Sequence, residues 1–370
     1  MELDINRTIQ QAFTSHKKNK FDDAERLYKS ILDIQPNNIN IHNNLGAILN
    51  KLGKFEEAEI HYKKVIELKP DYAEVYINLS NLNKNFGKFH EAEKNIKKAI
   101  EIKPNFEEAY YCLGIIKQKL NRIEEAQVCF RKAIELKADY AEAYDSLGLT
   151  LYELHKLEEA EFSFKKAIEI KPQFINAQYN FSTLLYKIGR IDEAMDILKK
   201  TLQLNPDFKP SLLLIGNIYF ERGKYELALQ NFDICNTESS RALSLASLYA
   251  LRRVEDIYER INAQSELDSK NLSIAAFSSF IEHKEKKETA NKFCNNPIDF
   301  ISISNISSYI EDLDSFIKEI INELENVKIR WEPLDNTTKN GFHTGNKINL
   351  FDKPINKMKD LQSIIIEELY

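Results

Sequence analysis

A block of 34 residues recurs through the first two-thirds of this chain, and a sequence with that period folds as a stack of similar units rather than around one central core. The segments IELKPD (66–71), IEIKPN (100–105), IELKAD (134–139), IEIKPQ (168–173) and LQLNPD (202–207) fall in register. Seven units begin at residues 5, 39, 73, 107, 141, 175 and 209 and run to about residue 242. Three positions carry the pattern. The eighth is small in every unit: Ala12, Gly46, Ser80, Gly114, Gly148, Ser182 and Gly216. The twentieth is alanine throughout: Ala24, Ala58, Ala92, Ala126, Ala160, Ala194 and Ala228. The twenty-fourth is large: Tyr28, Tyr62, Ile96, Phe130, Phe164, Leu198 and Phe232. The i, i+4 spacing of the last two puts both on one helix face. Each unit therefore reads as two helices in close approach.

The helix breakers agree. Eight of the ten glycines fall at the eighth or the fifteenth position, and five of the nine prolines close a unit, where they cannot continue a helix. Asp71, Asn105 and Asp139 precede Glu74, Glu108 and Glu142 by three residues, which predicts a capping box at the start of the next helix. Ala138 stands where the other units close on proline, and predicts only a softer turn.

Residues of these types at these positions resemble the tetratricopeptide repeat family over roughly two-thirds of the chain. The resemblance implies a mainly α fold, a right-handed superhelix (an α-solenoid) of antiparallel helix pairs around a concave groove. It also implies that the first helix of each unit lines that groove. The fifth, ninth and twelfth positions then face a ligand, and they are aromatic and amide-rich: Asn43, Tyr111 and Tyr179 at the fifth, Tyr152 and Tyr186 at the twelfth. Tyrosine presents a large contact area at little entropic cost. The expected partner is an extended polypeptide, with Tyr111, Tyr152, Tyr179 and Tyr186 as anchors. Asn44, Asn78 and Asn180 share the sixth position. They resemble the amide ladder of repeats attached to O-linked glycosyltransferases, since an amide can donate to and accept from any peptide backbone. Cys112, Ser146 and Leu214 interrupt that ladder. Solvated helix-surface asparagines are the competing reading.

Composition narrows the partners. With 51 basic and 57 acidic side chains interspersed, and a net charge of −6, no basic face is available for nucleic acid. No run approaches the ~18 apolar residues a membrane span needs, and no basic n-region precedes an apolar stretch at the start. Cys112, Cys129, Cys235 and Cys294 form no Cys-x-x-Cys pair. A soluble cytoplasmic protein is expected. No nucleotide-binding loop or His-Glu-x-x-His motif occurs.

Beyond the array, residues 243–290 read as a helical extension that caps the open end, with helices over 241–251, 254–263 and 274–284. Residues 291–370 change character: a strand-like run at 298–304, a helix over 307–325, a strand at 327–333, a polar loop at 335–352 and a final helix from 354. In this stretch FCNNPIDF (293–300), WEP (331–333) and TTKNGFHTGNKINLF (337–351) resemble the opening of a 2-oxoglutarate/iron(II) oxygenase domain. The resemblance implies an iron site built from a His-x-Asp/His pair and a distal histidine. That set falls beyond Tyr370, so the segment is expected to be a small incomplete α/β piece, and the chain to need no cofactor. Iron(II) and 2-oxoglutarate would enter only with a complete domain. His283 and His343 have no partner at ligand spacing. Three functional readings follow: a peptide-binding scaffold, a repeat-bearing oxygenase, and a glycosyltransferase-type adaptor.

Overall fold

The computed structural model describes residues 2–268 and 271–290, with Ser315, Lys318, Glu319, Ile329–Trp331 and Phe342–Thr344. The chain divides into two compact units, Met1–Ile197 and Leu198–Tyr370. In the first unit the helices pair as α1 (Glu2–Lys17) with α2 (Phe21–Ile34), α3 (Ile39–Lys51) with α4 (Phe55–Leu68), and α5 (Ala73–Asn85) with α6 (Phe89–Ile102). They continue as α7 (Glu107–Lys119) with α8 (Ile123–Leu136) and α9 (Ala141–Glu153) with α10 (Leu157–Ile170), followed by α11 (Ile175–Lys187); the division between the units falls within α12 (Ile191–Leu204). The second unit holds α13 (Lys209–Glu221), α14 (Tyr225–Cys235), α15 (Glu238–Ala250), α16 (Val254–Ala263) and α17 (Leu272–Glu285). The mainly α solenoid expected from the period is what forms.

Inside a repeat the small and large positions meet. Ala24, Ala58, Ala92, Ala126 and Ala160 are fully buried, as are Tyr28, Tyr62, Ile96, Phe130 and Phe164. A Cβ placed on Gly46 would lie 2.6 Å from a Tyr62 ring carbon, and one on Gly114 2.5 Å from Phe130. Glycine occupies the eighth position because the aromatic ring of the same repeat fills the space a methyl would need. In the third repeat the eighth residue is Ser80 and the large partner is the slimmer Ile96, and Ser80 Oγ donates to the Ala92 carbonyl at 2.9 Å.

Each turn between paired helices holds its fifteenth residue in the left-handed region: φ is 58° at Asn19, 76° at Gly53, 56° at Asn121, 57° at His155 and 71° at Gly223. The same signature returns at Arg252 (60°) and Lys286 (53°). The helices expected after the array all form, as α15, α16 and α17, and they keep the repeat's layout. α15 has 13 residues like α13. The next repeat-like unit starts again at α17, 34 residues after Glu238. The period is hidden because α14 stops after 11 residues, where α10 has 14. Asn236 in the left-handed conformation ends α14, and Thr237 with Ser240 forms a capping box. Leu245 and Ile257, both buried, stand where earlier units have a small residue and alanine.

The capping boxes predicted at Asp71, Asn105 and Asp139 do not form. The N-caps of α5, α7 and α9 are Tyr72, Phe106 and Tyr140, one residue later, without a side-chain cap. The lysine three residues upstream lies over each ring instead: Lys69 over Tyr72 at 5.5 Å, Lys103 over Phe106 at 4.0 Å and Lys137 over Tyr140 at 5.1 Å. The closing prolines are tied down from the fourth position of the next repeat. Tyr76 Oη donates to the Pro70 carbonyl at 2.9 Å, Gln178 Nε2 to Pro172 at 2.7 Å, and His42 Nε2 lies 2.9 Å from the Pro36 carbonyl.

In the C-terminal stretch, β1 (Ile329–Trp331) lies within the strand expected at 327–333. It pairs antiparallel with β2 (Phe342–Thr344), Arg330 opposite His343. That corrects the polar-loop reading of 335–352, since three residues give no periodic signal. Of the helix expected over 307–325, Ser315, Lys318 and Glu319 are described and are helical. The run at 298–304 and the final helix lie outside the described residues.

Candidate functional site: the wall of first helices

In the first unit, first helices of neighbouring repeats meet directly: α3 with α5, α5 with α7, α7 with α9 and α9 with α11. Among the described residues, successive second helices from α2 to α10 approach one another less closely. The first helices therefore form the shorter, inner wall of this stack. All eight candidate residues lie on it: Asn43 and Asn44 on α3, Asn78 on α5, Tyr111 on α7, Tyr152 on α9, and Tyr179, Asn180 and Tyr186 on α11. Each is half-buried.

Sequence reasoning missed that these residues bond to one another. Asn78 Nδ2 donates to Asn43 Oδ1 at 2.8 Å, and Asn180 Nδ2 to Asp145 Oδ1 at 2.9 Å. In both, the sixth residue of one repeat reaches the fifth residue of the repeat before. The Tyr111 hydroxyl lies near Ser146, the same pairing of positions. A second row crosses the wall further along: Asn85 Nδ2 to Asn50 Oδ1 at 3.2 Å and Gln118 Nε2 to Thr150 Oγ1 at 2.9 Å. The signal was present in the sequence as polar residues at two adjacent repeat positions; only the stacking offset makes them neighbours.

The tyrosines differ in setting. Tyr111 packs against Phe130 at 5.9 Å and Tyr140 at 5.1 Å between ring centroids. Tyr111, Tyr152 and Tyr186 also lie against the buried cluster of Leu147, Leu151 and Phe181. They support the wall as well as lining it. Leu149, at the ninth position of α9, is 38% exposed.

Electrostatics on the wall centre on α7 and α9. Burial raises the Asp145 carboxyl above its usual range, opposed by the Asn180 amide and reinforced by Glu142. Burial also raises Glu108, with Glu107 and Glu74 adding repulsion. The Cys112 thiol is pushed up to about 12 by burial, so it stays protonated. An ion cluster of Glu93, Lys97, Lys117 and Glu125 sits between α6, α7 and α8, with Lys117 Nζ 2.9 Å from Glu93 Oε1. Its charges satisfy one another.

Among the described residues no group of three or more His, Cys, Asp or Glu could hold a metal ion. The His42 and His61 rings approach at 2.8 Å between Nδ1 atoms, and among the described residues no third ligand joins them. No helix among the described residues is long and apolar enough to cross a membrane.

A wall of stacked first helices defines a helical-repeat protein. Family models described as tetratricopeptide repeat match residues 39–72, 73–106, 106–173 and 151–207. The chain carries tetratricopeptide repeats. Among solved structures, a tetratricopeptide repeat protein from Parabacteroides merdae aligns at 21% identity over 66% of this chain and 98% of that one, with a TM-score of 0.52. The anaphase-promoting-complex hetero-tetramer Cut9-Hcn1 aligns at 14% identity over 72% of this chain and 54% of that one, TM-score 0.51. MamA aligns at 29% over 44% of this chain and 95% of that one, TM-score 0.39. A search of curated proteins gives no match. The matched repeat models end at residue 207, so the oxygenase resemblance of residues 291–370 gains no support.

Proposed function

We propose that this protein is an interaction scaffold that holds an extended polypeptide segment along the inner wall of α3, α5, α7, α9 and α11. The observation that carries this reading is the inter-repeat ladder of Asn43–Asn78 and Asp145–Asn180. It fixes a row of polar side chains at the spacing of successive repeats, beside half-buried tyrosine rings. Such a row meets a peptide backbone with side chains already ordered, which lowers the entropic cost of binding.

A photocrosslinking amino acid placed at Leu149 on the inner wall, or at Phe162 on second helix α10 (59% exposed), tests the reading. With 12-residue peptides selected from a displayed random library, adducts should form from position 149 and not from 162. Adducts from 162 alone, or a library that yields no binder, would refute it.

A further inference from the structure

Asp145 is the one carboxylate at the fifth position in all seven repeats; the others are Ile9, Asn43, Ile77, Tyr111, Tyr179 and Leu213. It is 8% exposed. Its Oδ1 accepts from Asn180, while among the described residues its other oxygen takes no hydrogen bond, and that oxygen is not sealed from solvent. Among the described residues no lysine or arginine faces it; the charged neighbour is Glu142, itself paired with Lys171 at 2.8 Å. A buried carboxylate without a cation is costly to the fold.

The second repeat supplies the control. Asn43 makes the same inter-repeat bond with Asn78 that Asp145 makes with Asn180. Tying one repeat to the next therefore needs an acceptor oxygen at the fifth position but no charge. The carboxylate at 145 adds a negative charge and nothing else that the stack uses. The Tyr111 ring lies within reach of its charge, and 5.1 Å beyond Tyr111 stands the ring of Tyr140, which already carries the Lys137 ammonium at 5.1 Å. Aromatic faces next to a desolvated carboxylate suit an arginine or lysine.

We propose that Asp145 seats a basic side chain of the bound peptide, between α7, α9 and α11. This rests on the inner-wall reading above and names the partner's chemistry: an extended segment with an arginine or lysine at one fixed register. The guanidinium or ammonium takes the free carboxylate oxygen and lies along the Tyr111 ring, replacing the missing counter-ion.

The full chain is used to select peptides from a displayed library of random 12-mers, in parallel with Asp145→Asn. The substitution keeps the acceptor for Asn180 and reproduces the Asn43–Asn78 pair, and circular dichroism checks that it folds. Wild type should enrich arginine or lysine at one position, and Asp145→Asn should not. In fluorescence anisotropy, replacing that residue by glutamine should weaken wild-type binding by about tenfold or more, the scale of a hydrogen bond to a charged group. It should leave binding to Asp145→Asn unchanged. Within wild type alone, the same ratio should fall towards one as the carboxylate is protonated at acid pH, a readout independent of the variant. Binders without basic enrichment, or a ratio that survives in Asp145→Asn, overturn the basic seat while the inner-wall reading stands. A library that yields no binder overturns both.

Discussion

Gly148→Ala sets two calculable effects against each other. Helix propensity alone favours alanine in the interior of α9 by about 1 kcal/mol. The structure opposes it: the new Cβ would lie 2.6, 2.7 and 2.9 Å from three ring carbons of Phe164. Carbon atoms in ordinary contact sit roughly 3.5–4.0 Å apart, so the ring must retreat by about 1 Å. Phe164 is 1% exposed and Ala160 fully buried beneath it, so the ring has no space to enter. Overpacking of this kind costs about 1–3 kcal/mol. The net expectation is a loss of roughly 1 kcal/mol despite the better helix former.

Urea unfolding followed by circular dichroism measures that loss, and a double-mutant cycle isolates its cause. Phe164→Ile copies the pairing of Ser80 with Ile96 in the third repeat. In its presence Gly148→Ala should become neutral or stabilising, giving a coupling of about 1–3 kcal/mol. A single variant that is stabilised by about 1 kcal/mol, or a cycle additive to within about 0.5 kcal/mol, would show that the ring does not select glycine.

Two further outcomes follow from the turns and the ion cluster. His155 holds φ at 57°, a conformation costing a non-glycine residue about 1 kcal/mol or more; because glycine also loosens the unfolded chain, His155→Gly should stabilise by about 0.5 kcal/mol, read as a rise in Tm of roughly 1–2 °C, and a fall in Tm would contradict the turn assignment. Burial alone would raise the Glu93 carboxyl, yet hydrogen bonds from Lys97 and Lys117 hold it down to about 2; its contribution is therefore present above the ordinary carboxylate range and lost as pH falls from about 4.5 towards 2, so stability should drop more steeply over that window in wild type than in Glu93→Gln, and parallel curves would mean the cluster contributes nothing.

The repeat was legible because three positions carry a volume rule that the structure obeys: small eighth, alanine twentieth, large twenty-fourth. The helix starts were less legible. Asp71 and Glu74 have the spacing of a capping box, but Tyr72 takes the N-cap, since its ring packs under Lys69. That contact needs a lysine before the closing proline and an aromatic after the turn, a pattern read in the sequence only as punctuation. The repeat-like layout of α15–α17 was hidden for a different reason. Shortening α14 by three residues moves the phase, and Leu245 with Ile257 abolishes the small-residue marker while leaving the turn geometry at Arg252 intact. Side-chain volume and backbone register are separate signals, and only the first is visible in a list of residues.

The inner-wall asparagines show how the same separation bears on binding. Spacing predicts amides free to grip a peptide, whereas Asn78 spends a donor on Asn43, and Asn180 on Asp145. That expenditure does not remove the wall's capacity. An amide has two donor hydrogens and an oxygen with two lone pairs, so the Asn43–Asn78 pair keeps the Asn43 nitrogen as donor and the Asn78 oxygen as acceptor. The mutual bond fixes which group points where, and it orders both side chains before any partner arrives. A pair of asparagines thus offers one donor and one acceptor, the complement of a single peptide group. The Asp145–Asn180 pair offers an acceptor pair and a charge. Two rungs built on one plan therefore recognise different things. On the proposal above, the amide rung is indifferent to sequence and the acidic rung sets the register.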